Sequence, residues 1–404
     1  MTVKQIPSDK VEMGMYISGL DRPWIETPFL FQGFVVSEQK ELDDLRQFTK
    51  YVYVAAPDEE IELEKYEVKQ SHSIKTSDET TNIKSKTYKT TISADDEIKQ
   101  IRSSHEEFSN SLSEIETLIR SGGILKIEYI EEPVNAMVKS VTKNPDAYIW
   151  LTRLQKFDSF MYKDSLMNAV LGAALGRQLG LPEDEIQVVA SGCLLLDIGK
   201  LLLPTELLHK PSRLNKQEWT MMKKHVQFGI DILERSSNFD PNIIDIVRTH
   251  HERIDGSGYM DGLVGNEIPY YGQIAGIVDQ YVAVTNPRPY ATVLSHSKAQ
   301  GMLFEQKGRF FDEMLVEYFI HTLSAYPTGT LVELSTGEVG IVKAQKGGAR
   351  LRPDVILLLN PEKEPYGSFT IANLDDYTVD DELVTIARSL PDGCFGLQIE
   401  ELSF

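Results

Sequence analysis

The sequence predicts a mainly α-helical protein with a small β-rich domain at its N-terminus and a short β extension at its C-terminus. Three observations carry this. Apolar residues recur three and four apart from about 133 to 323, short apolar runs alternate with turn residues over 3–55, and the period shortens again after 326. At 404 residues, 41% hydrophobic and 25% charged, the chain has the composition of an ordinary globular protein with room for two or three domains.

The runs KVEMGMYISGL, FLFQGFVV and KYVYVAA read as strands with one helix near 38–48, so residues 1–56 form a small β-rich domain. Residues 57–98 turn to Glu, Lys, Ser and Thr with few large apolar side chains, the composition of a polar, flexible linker. Helical spacing returns in ADDEIKQIRSSHEEFSNSLSEIETLIRSG through Ile98, Ile101, Phe108, Leu112, Ile115 and Leu118, behind an acidic first turn, and opens a helical connector over 99–148. Residues 149–323 are the helical body, punctuated at GLPEDE, KPSRLN and DGSGYMDG. In the extension, 324–404, TLVELSTGEVGIVKA is two short strands about a Thr-Gly turn, and VILLLN continues the β pattern.

A formal charge of -20 repels a polyphosphate backbone, which argues against DNA or RNA as partner but leaves room for a small anion in a local basic pocket. MTVKQIPSDK lacks the basic start and apolar core of a signal peptide, and no run of 18 uncharged apolar residues occurs, so a cytoplasmic protein is expected. Cys193 and Cys394 lie far apart and in no metal-spaced pair, and read as small buried hydrophobes.

Three of the eight histidines fall between His225 and His251. THHERIDGSGYMDGL ends a helix at His250 and His251 and enters a glycine-rich loop. Adjacent helical residues point about 100° apart, so the pair can address two neighbouring metals, or one metal and a supporting partner. Around it stand Asp197 at a helix end, His225 within MMKKHVQFG, and Asp279 within IAGIVDQYVAV. An aspartate facing inward among Ile, Ala and Val is costly unless it is paired or bound to a cation, and mixed imidazole and carboxylate sets suit iron, manganese or zinc. His72, His105, His209, His296 and His321 read as ordinary polar residues of their segments.

The order DIGK, LLHKPSRLNKQEWTMMKKHVQFG, HHERIDGSGYMDGL with EIP, and VDQYVAVTNPRPY resembles the HD-GYP domain, the bacterial cyclic di-GMP phosphodiesterase branch of the HD superfamily, over about 149–323. MGMYISGLDRPWIETPFLFQGFVV and KYVYV resemble the small domain that commonly precedes it, and YPTGTLVELSTGEVGIV a β extension of the same architecture. The resemblance implies a helical core holding iron or manganese ions that hydrolyse cyclic di-GMP. Asp197 would bridge two metals, His225 and His250 would complete the second metal's shell, His251 would lie beside it or serve a third metal, and Asp279 would serve the first. Lys200 and Arg288 would meet the substrate phosphates, Gly258 and Tyr259 belong to the GYP loop, and diguanylate cyclase (GGDEF) domains are implied partners.

The sequence departs from that pattern at five places. The leading histidine of the HD pair is Leu196, a histidine of the first core helix falls on Asp164, the proline of GYP is Met260, and Val282 and Ala291 replace an acidic and a basic residue. The first metal keeps only Asp164, Asp197 and Asp279, three carboxylates without an imidazole. The leading expectation is therefore a divergent member with absent or reduced phosphodiesterase activity, acting as a nucleotide-binding or protein-interaction module. The alternative is an active metal-dependent enzyme in which Asp164 substitutes as a ligand.

Overall fold

The computed structural model describes residues 2–21, 34–36, 39–56, 86–156, 160–236, 238–286, 293–345 and 351–402. Its packing separates the chain into two units, residues 1–82 with 346–351, and residues 83–345 with 352–404. Among the described residues no helix is long and apolar enough to cross a membrane.

In the N-terminal unit the strands β1 (Thr2–Pro7), β2 (Tyr16–Leu20), β3 (Phe34–Val35) and β4 (Tyr51–Ala56) form an antiparallel sheet in the order β1-β4-β2-β3, with helix α1 (Gln39–Phe48) between β3 and β4. The alternation in YVYV is the reason for the strand: Val52 and Val54 are fully buried while Tyr51 and Tyr53 are half-exposed. With Ile6, Ile17, Leu42 and Leu45 they make this unit's own core. The expected β-rich character and the helix near 38–48 are both present.

The larger unit begins differently from expectation. Residues 57–85 of the polar stretch lie outside the described residues, but 86–93 lie against the helical body: Lys86 N–H donates to the Gly180 carbonyl at 2.9 Å, Tyr88 Oη to Leu181 at 2.8 Å, and Asn144 Nδ2 to Ile92 at 3.0 Å. Residues 94–98 are already helix, because Ser93 caps the amide of Asp96 at 3.2 Å and starts α2 (Ala94–Arg120). Composition alone reported a linker where backbone groups are in fact paired.

The body consists of α3 (Glu128–Lys143), α4 (Pro145–Leu154), α5 (Phe160–Leu179), α6 (Glu183–Leu195), α7 (Thr205–Leu208), α8 (Lys216–Glu234), α9 (Pro241–Thr249), α10 (Tyr270–Thr285), α11 (His296–Gln306) and α12 (Glu313–Leu323). Caps fix the starts: Asn144 with Pro145 opens α4, the reciprocal Asn215 and Glu218 pair opens α8, and Asp240 with Pro241 opens α9. α5, α6 and α10 are apolar on nearly every side and are buried accordingly, with Leu166, Val170, Ile186, Val189, Ile274 and Val278 excluded from solvent. Each such side chain stabilises the fold by about 1.5–3 kcal/mol.

The C-terminal extension is an antiparallel sheet in the order β11-β5-β6-β7-β8, built from β5 (Leu331–Leu334), β6 (Val339–Ala344), β7 (Asp354–Leu359), β8 (Pro365–Asn373) and β11 (Ile386–Leu390), with β9 (Thr378–Val379) and β10 (Glu382–Leu383) as a separate pair. Alternation decides its two faces: Leu331, Ile341 and Ile356 join the helical core, while Val332, Val342 and Val355 enclose a second core with Leu374 and Val384. The sheet is bolted to the helices by Arg153, which donates through Nη2 to Asp392 at 3.1 Å and through Nη1 to Asn286 at 3.3 Å, and lies 2.8 Å from His296 Nε2. Tyr281 Oη meets the other nitrogen of His296 at 2.6 Å.

Two histidines expected to be ordinary polar residues are therefore core groups: His296 in this network, and His105, whose Nε2 lies 3.1 Å from Thr152 Oγ1. His209 and His321 remain partly exposed, and His72 lies outside the described residues.

Two outcomes are expected. Arg153→Met strands the buried Asp392 carboxylate, so chemical denaturation should report a loss of about 3 kcal/mol or more. Burial, and secondarily Arg102, lowers the His105 pKa to about 4, so the folded state favours the neutral ring. The stability it contributes is present above its ordinary value of about 6.5 and is lost as pH falls from there toward about 4. In that window His105→Leu should reduce the slope of unfolding free energy against pH by up to about 1.4 kcal/mol per unit.

Candidate metal centre

Four side chains from three separate parts of the body converge. Asp197 follows α6 and leads the 3₁₀ turn Ile198–Leu202, His225 lies in the middle of α8, and His250 and His251 terminate α9. One ligand atom from each of the four lies within 4.8 Å of the others, the one such group among the described residues.

Close approach of backbone makes this possible. A Cβ on Gly199 would fall 1.9 Å from the His225 carbonyl oxygen and 2.4 Å from the Gly229 nitrogen, so only glycine lets the turn carrying Asp197 and Lys200 lie on α8. Gly258 is held likewise: its Cβ would lie 2.4 Å from Glu252 Cα and 2.5 Å from the Arg253 nitrogen.

The histidine tautomers follow from their partners. His225 Nδ1 lies 2.7 Å from the Met222 carbonyl and His250 Nδ1 2.8 Å from that of Val247. A carbonyl only accepts, so each Nδ1 carries the proton and each Nε2 presents a lone pair. Those two Nε2 atoms face one another at 3.5 Å. Asp197 Oδ1 stands 3.3 Å from the first and 3.9 Å from the second, buried and without a hydrogen-bond donor. Burial lowers the pKa of His225 to about 3 and lowers those of His250 and His251, so the rings are neutral at physiological pH. Three lone-pair atoms thus meet with no proton between them, at a cost of about 1–3 kcal/mol for the orphaned oxygen alone. A divalent cation fits that arrangement, and these residues could hold one.

The second carboxylate oxygen is committed elsewhere. Asp197 Oδ2 accepts from Lys200 Nζ at 2.5 Å across one turn of the 3₁₀ segment. Burial opposes ionisation of Asp197, but the ammonium of Lys200 overrides it and holds the carboxyl below the usual range.

The other expected ligands stand outside the group. Asp164 on α5 is buried and accepts at 2.7 Å from Asn286 Nδ2, which ties it to the Arg153 network. Asp279 on α10 is buried and acts on His250 and Arg253 through its field. Leu196 is wholly buried in the helical core. Asp197 also lines a small cleft of about 40 Å³ whose remaining walls include Leu112, Met161, Tyr162, Leu194 and Leu201, with no imidazole among them. Arg288 and Ala291 lie outside the described residues.

Sequence reasoning missed two supports. Glu252 accepts the amides of Asp261, Gly262 and Leu263 at 2.7, 3.0 and 3.1 Å and so ties down the loop that carries Gly258, Tyr259 and Met260. Arg253 donates to the His250 carbonyl at 3.2 Å. The available signal was an acidic and a basic residue directly after the paired histidines, before a loop rich in unpaired amides. Tyr259 stacks on His251, ring centroids 4.6 Å apart at 26°.

This arrangement of helices and donors defines an HD domain: residues 151–315 match the family model described as HD domain, and residues 3–130 match that of a domain of unknown function, DUF3391. The chain thus carries an HD domain over 151–315, with the DUF3391 region ahead of it. It is 28% identical over 355 residues to the cyclic di-GMP phosphodiesterase PA4108 of Pseudomonas aeruginosa, spanning 87% of this chain and 84% of that one. It is 39% identical over 147 residues to 3'3'-cGAMP-specific phosphodiesterase 2 of Vibrio cholerae, spanning 36% of this chain and 28% of the relative. Against the cyclic di-GMP phosphodiesterase response regulator RpfG of Xanthomonas campestris the identity is 34%, over 41% of this chain and 46% of the relative. The solved structure of Bd1817, an HD-GYP-type protein of Bdellovibrio bacteriovorus, superposes with a TM-score of 0.48 at 15% identity, covering 80% of this chain and 99% of that one.

The close approach at Gly199 makes a sharp expectation: Gly199→Ala should cost about 3 kcal/mol or more, read by thermal or chemical unfolding, because the atoms met are backbone and cannot rotate away.

Proposed function

We propose that this chain is a cyclic-dinucleotide protein of the HD-GYP kind that holds one divalent cation, iron or manganese, and whose phosphodiesterase activity is absent or much reduced. It acts by binding cyclic di-GMP or a related cyclic dinucleotide, and by contacting partners such as diguanylate cyclase domains. The observation that supports this most directly is the division of Asp197: Oδ1 is orphaned among imidazole lone pairs, while Oδ2 is bonded to an ammonium.

Asp197, His225 and His250 would hold the ion, with His251 as fourth donor or supporting ring. An ion bound there supplies Lewis acidity toward a phosphate oxygen. Lys200 is assigned to the neighbouring phosphate oxygens, with Arg288 on the other side of the nucleotide and Gly258 and Tyr259 contributing the loop. Asp279 serves as a buried charge that raises the basicity of His250 and holds Arg253 near it. The activities of the relatives named above support a cyclic dinucleotide as the ligand class.

The low activity rests on the other half of the site. Activating the attacking water between two metals requires a second ion about 3.5–4 Å from the first, with donors of its own. Leu196 turns into the core and Asp164 Oδ1 is bonded to Asn286. An active enzyme with Asp164 as substitute ligand would have to use that carboxylate while Asn286 Nδ2 donates to its Oδ1.

Metal analysis of protein purified without oxygen and reloaded with Mn²⁺ should find one ion per chain, with His225→Ala or His250→Ala weakening the Mn²⁺ isotherm by tenfold or more, about the loss already caused by disturbing ligand orientation alone. Incubation with cyclic di-GMP and Fe²⁺ or Mn²⁺ should yield no more linear dinucleotide or GMP than Asp197→Asn does. Two ions per chain, with turnover abolished by Asp164→Asn, would establish the active enzyme instead.

A further inference from the structure

A line of rings leads from the histidine cluster to the surface. His250 and His251 have centroids 4.0 Å apart, His251 and Tyr259 4.6 Å, and Tyr259 meets Trp219 edge-on at 6.4 Å. Trp219 stands one turn before Lys223 on α8, and the Lys223 ammonium is poised between the two rings, 4.6 Å from the centroid of Tyr259 and 5.9 Å from that of Trp219. Lys223 in turn precedes His225 by two residues on the same helix. Although an indole is among the largest apolar surfaces a chain can bury, Trp219 is 47% exposed, and Met260 of the adjoining loop is 40% exposed.

We infer that Trp219, with Lys223 and Tyr259, is a nucleobase-binding subsite, on which a guanine base stacks while the phosphate it carries points to the cluster. This deepens the functional reading above and rests on it. Every base has a π-face, and an exposed indole fixed by a neighbouring ring and a cation is a stacking surface that loses little freedom on binding. The ammonium adds what stacking lacks. On a chain of net charge -20 an anionic nucleotide needs local positive charge, and Lys223 lies at the ring line while Lys200 lies at its inner end. The ring line sets the direction: base outward on Trp219, phosphate inward toward Lys200 and the donors at Asp197. No residue in this subsite is needed to hold the ion, so base recognition and metal binding are separable.

The test is a set of isotherms on the full chain loaded with Mn²⁺, using cyclic di-GMP, GMP and the base-free probe ribose 5-phosphate, for wild type, Trp219→Ala and Trp219→Phe. Trp219→Ala should weaken cyclic di-GMP and GMP by about tenfold or more, the usual loss of one stacked base, and leave ribose 5-phosphate and Mn²⁺ within twofold. Trp219→Phe should recover most of that loss, since a smaller ring still stacks. Tryptophan emission of the wild type should be quenched by GMP and not by ribose 5-phosphate. Unchanged affinity for GMP in Trp219→Ala, or an equal weakening of ribose 5-phosphate, would overturn the subsite while leaving the functional reading intact. A wild type that takes Mn²⁺ but binds neither cyclic di-GMP nor GMP would overturn both.

Discussion

The carboxylate of Asp197 is the group on which the rest of the site depends. A buried anion is tolerated only where cations or donors meet it, and here its two oxygens are served differently: Oδ2 by the ammonium of Lys200, Oδ1 by nothing but the lone pairs of two imidazoles. Nearly every local feature of the body serves to create that asymmetry. α6 ends where it must turn, Gly199 lets the turn lie on α8, and α8 and α9 each bond a histidine Nδ1 to its own backbone so that Nε2 faces inward. The rings are oriented by hydrogen bonds made within the protein, so the donor set is organised before any ion arrives.

The C-terminal sheet is part of this machinery. Arg153 reaches from α4 to Asp392, to His296 and to Asn286, and Asn286 bonds Asp164. A carboxylate beside the centre is thus held at the end of a polar chain whose other end is anchored beyond the helical body. Because buried polar groups of this kind are costly when half-satisfied, the network fixes one arrangement of α4, α5 and α10 against the sheet. That is a physical reason for the extension to remain joined to the helices.

Leu196 and Asp164 are each accommodated by the fold without an ion. A leucine at the end of α6 gains burial among apolar neighbours, and an aspartate bonded to an asparagine is satisfied without a metal. The donor group beside them comprises one carboxylate oxygen, two oriented imidazoles and a third ring stacked on Tyr259. The Glu252 carboxylate keeps the adjoining loop in place through three backbone amides, so the surface beside the centre stays ordered around its exposed rings.

The sequence by itself determined the helical body, the β-rich ends and the identity of the central donors, because periodicity records which faces are buried and paired histidines before a glycine loop are a rare combination. It located Asp197, His225, His250 and His251, which the fold brings together. It could not tell that Asp164 Oδ1 accepts from Asn286, because inward carboxylates on different helices look alike until their neighbours are known. Only the tertiary structure decided that Asn286 takes Asp164, that His105 and His296 are core groups, and that residues 86–98 pack on the body instead of extending a linker. It also decided the contacts of Glu252, Arg253 and Trp219. These depend on distances between segments remote in sequence, and a residue's type and spacing carry no record of which distant backbone it will meet.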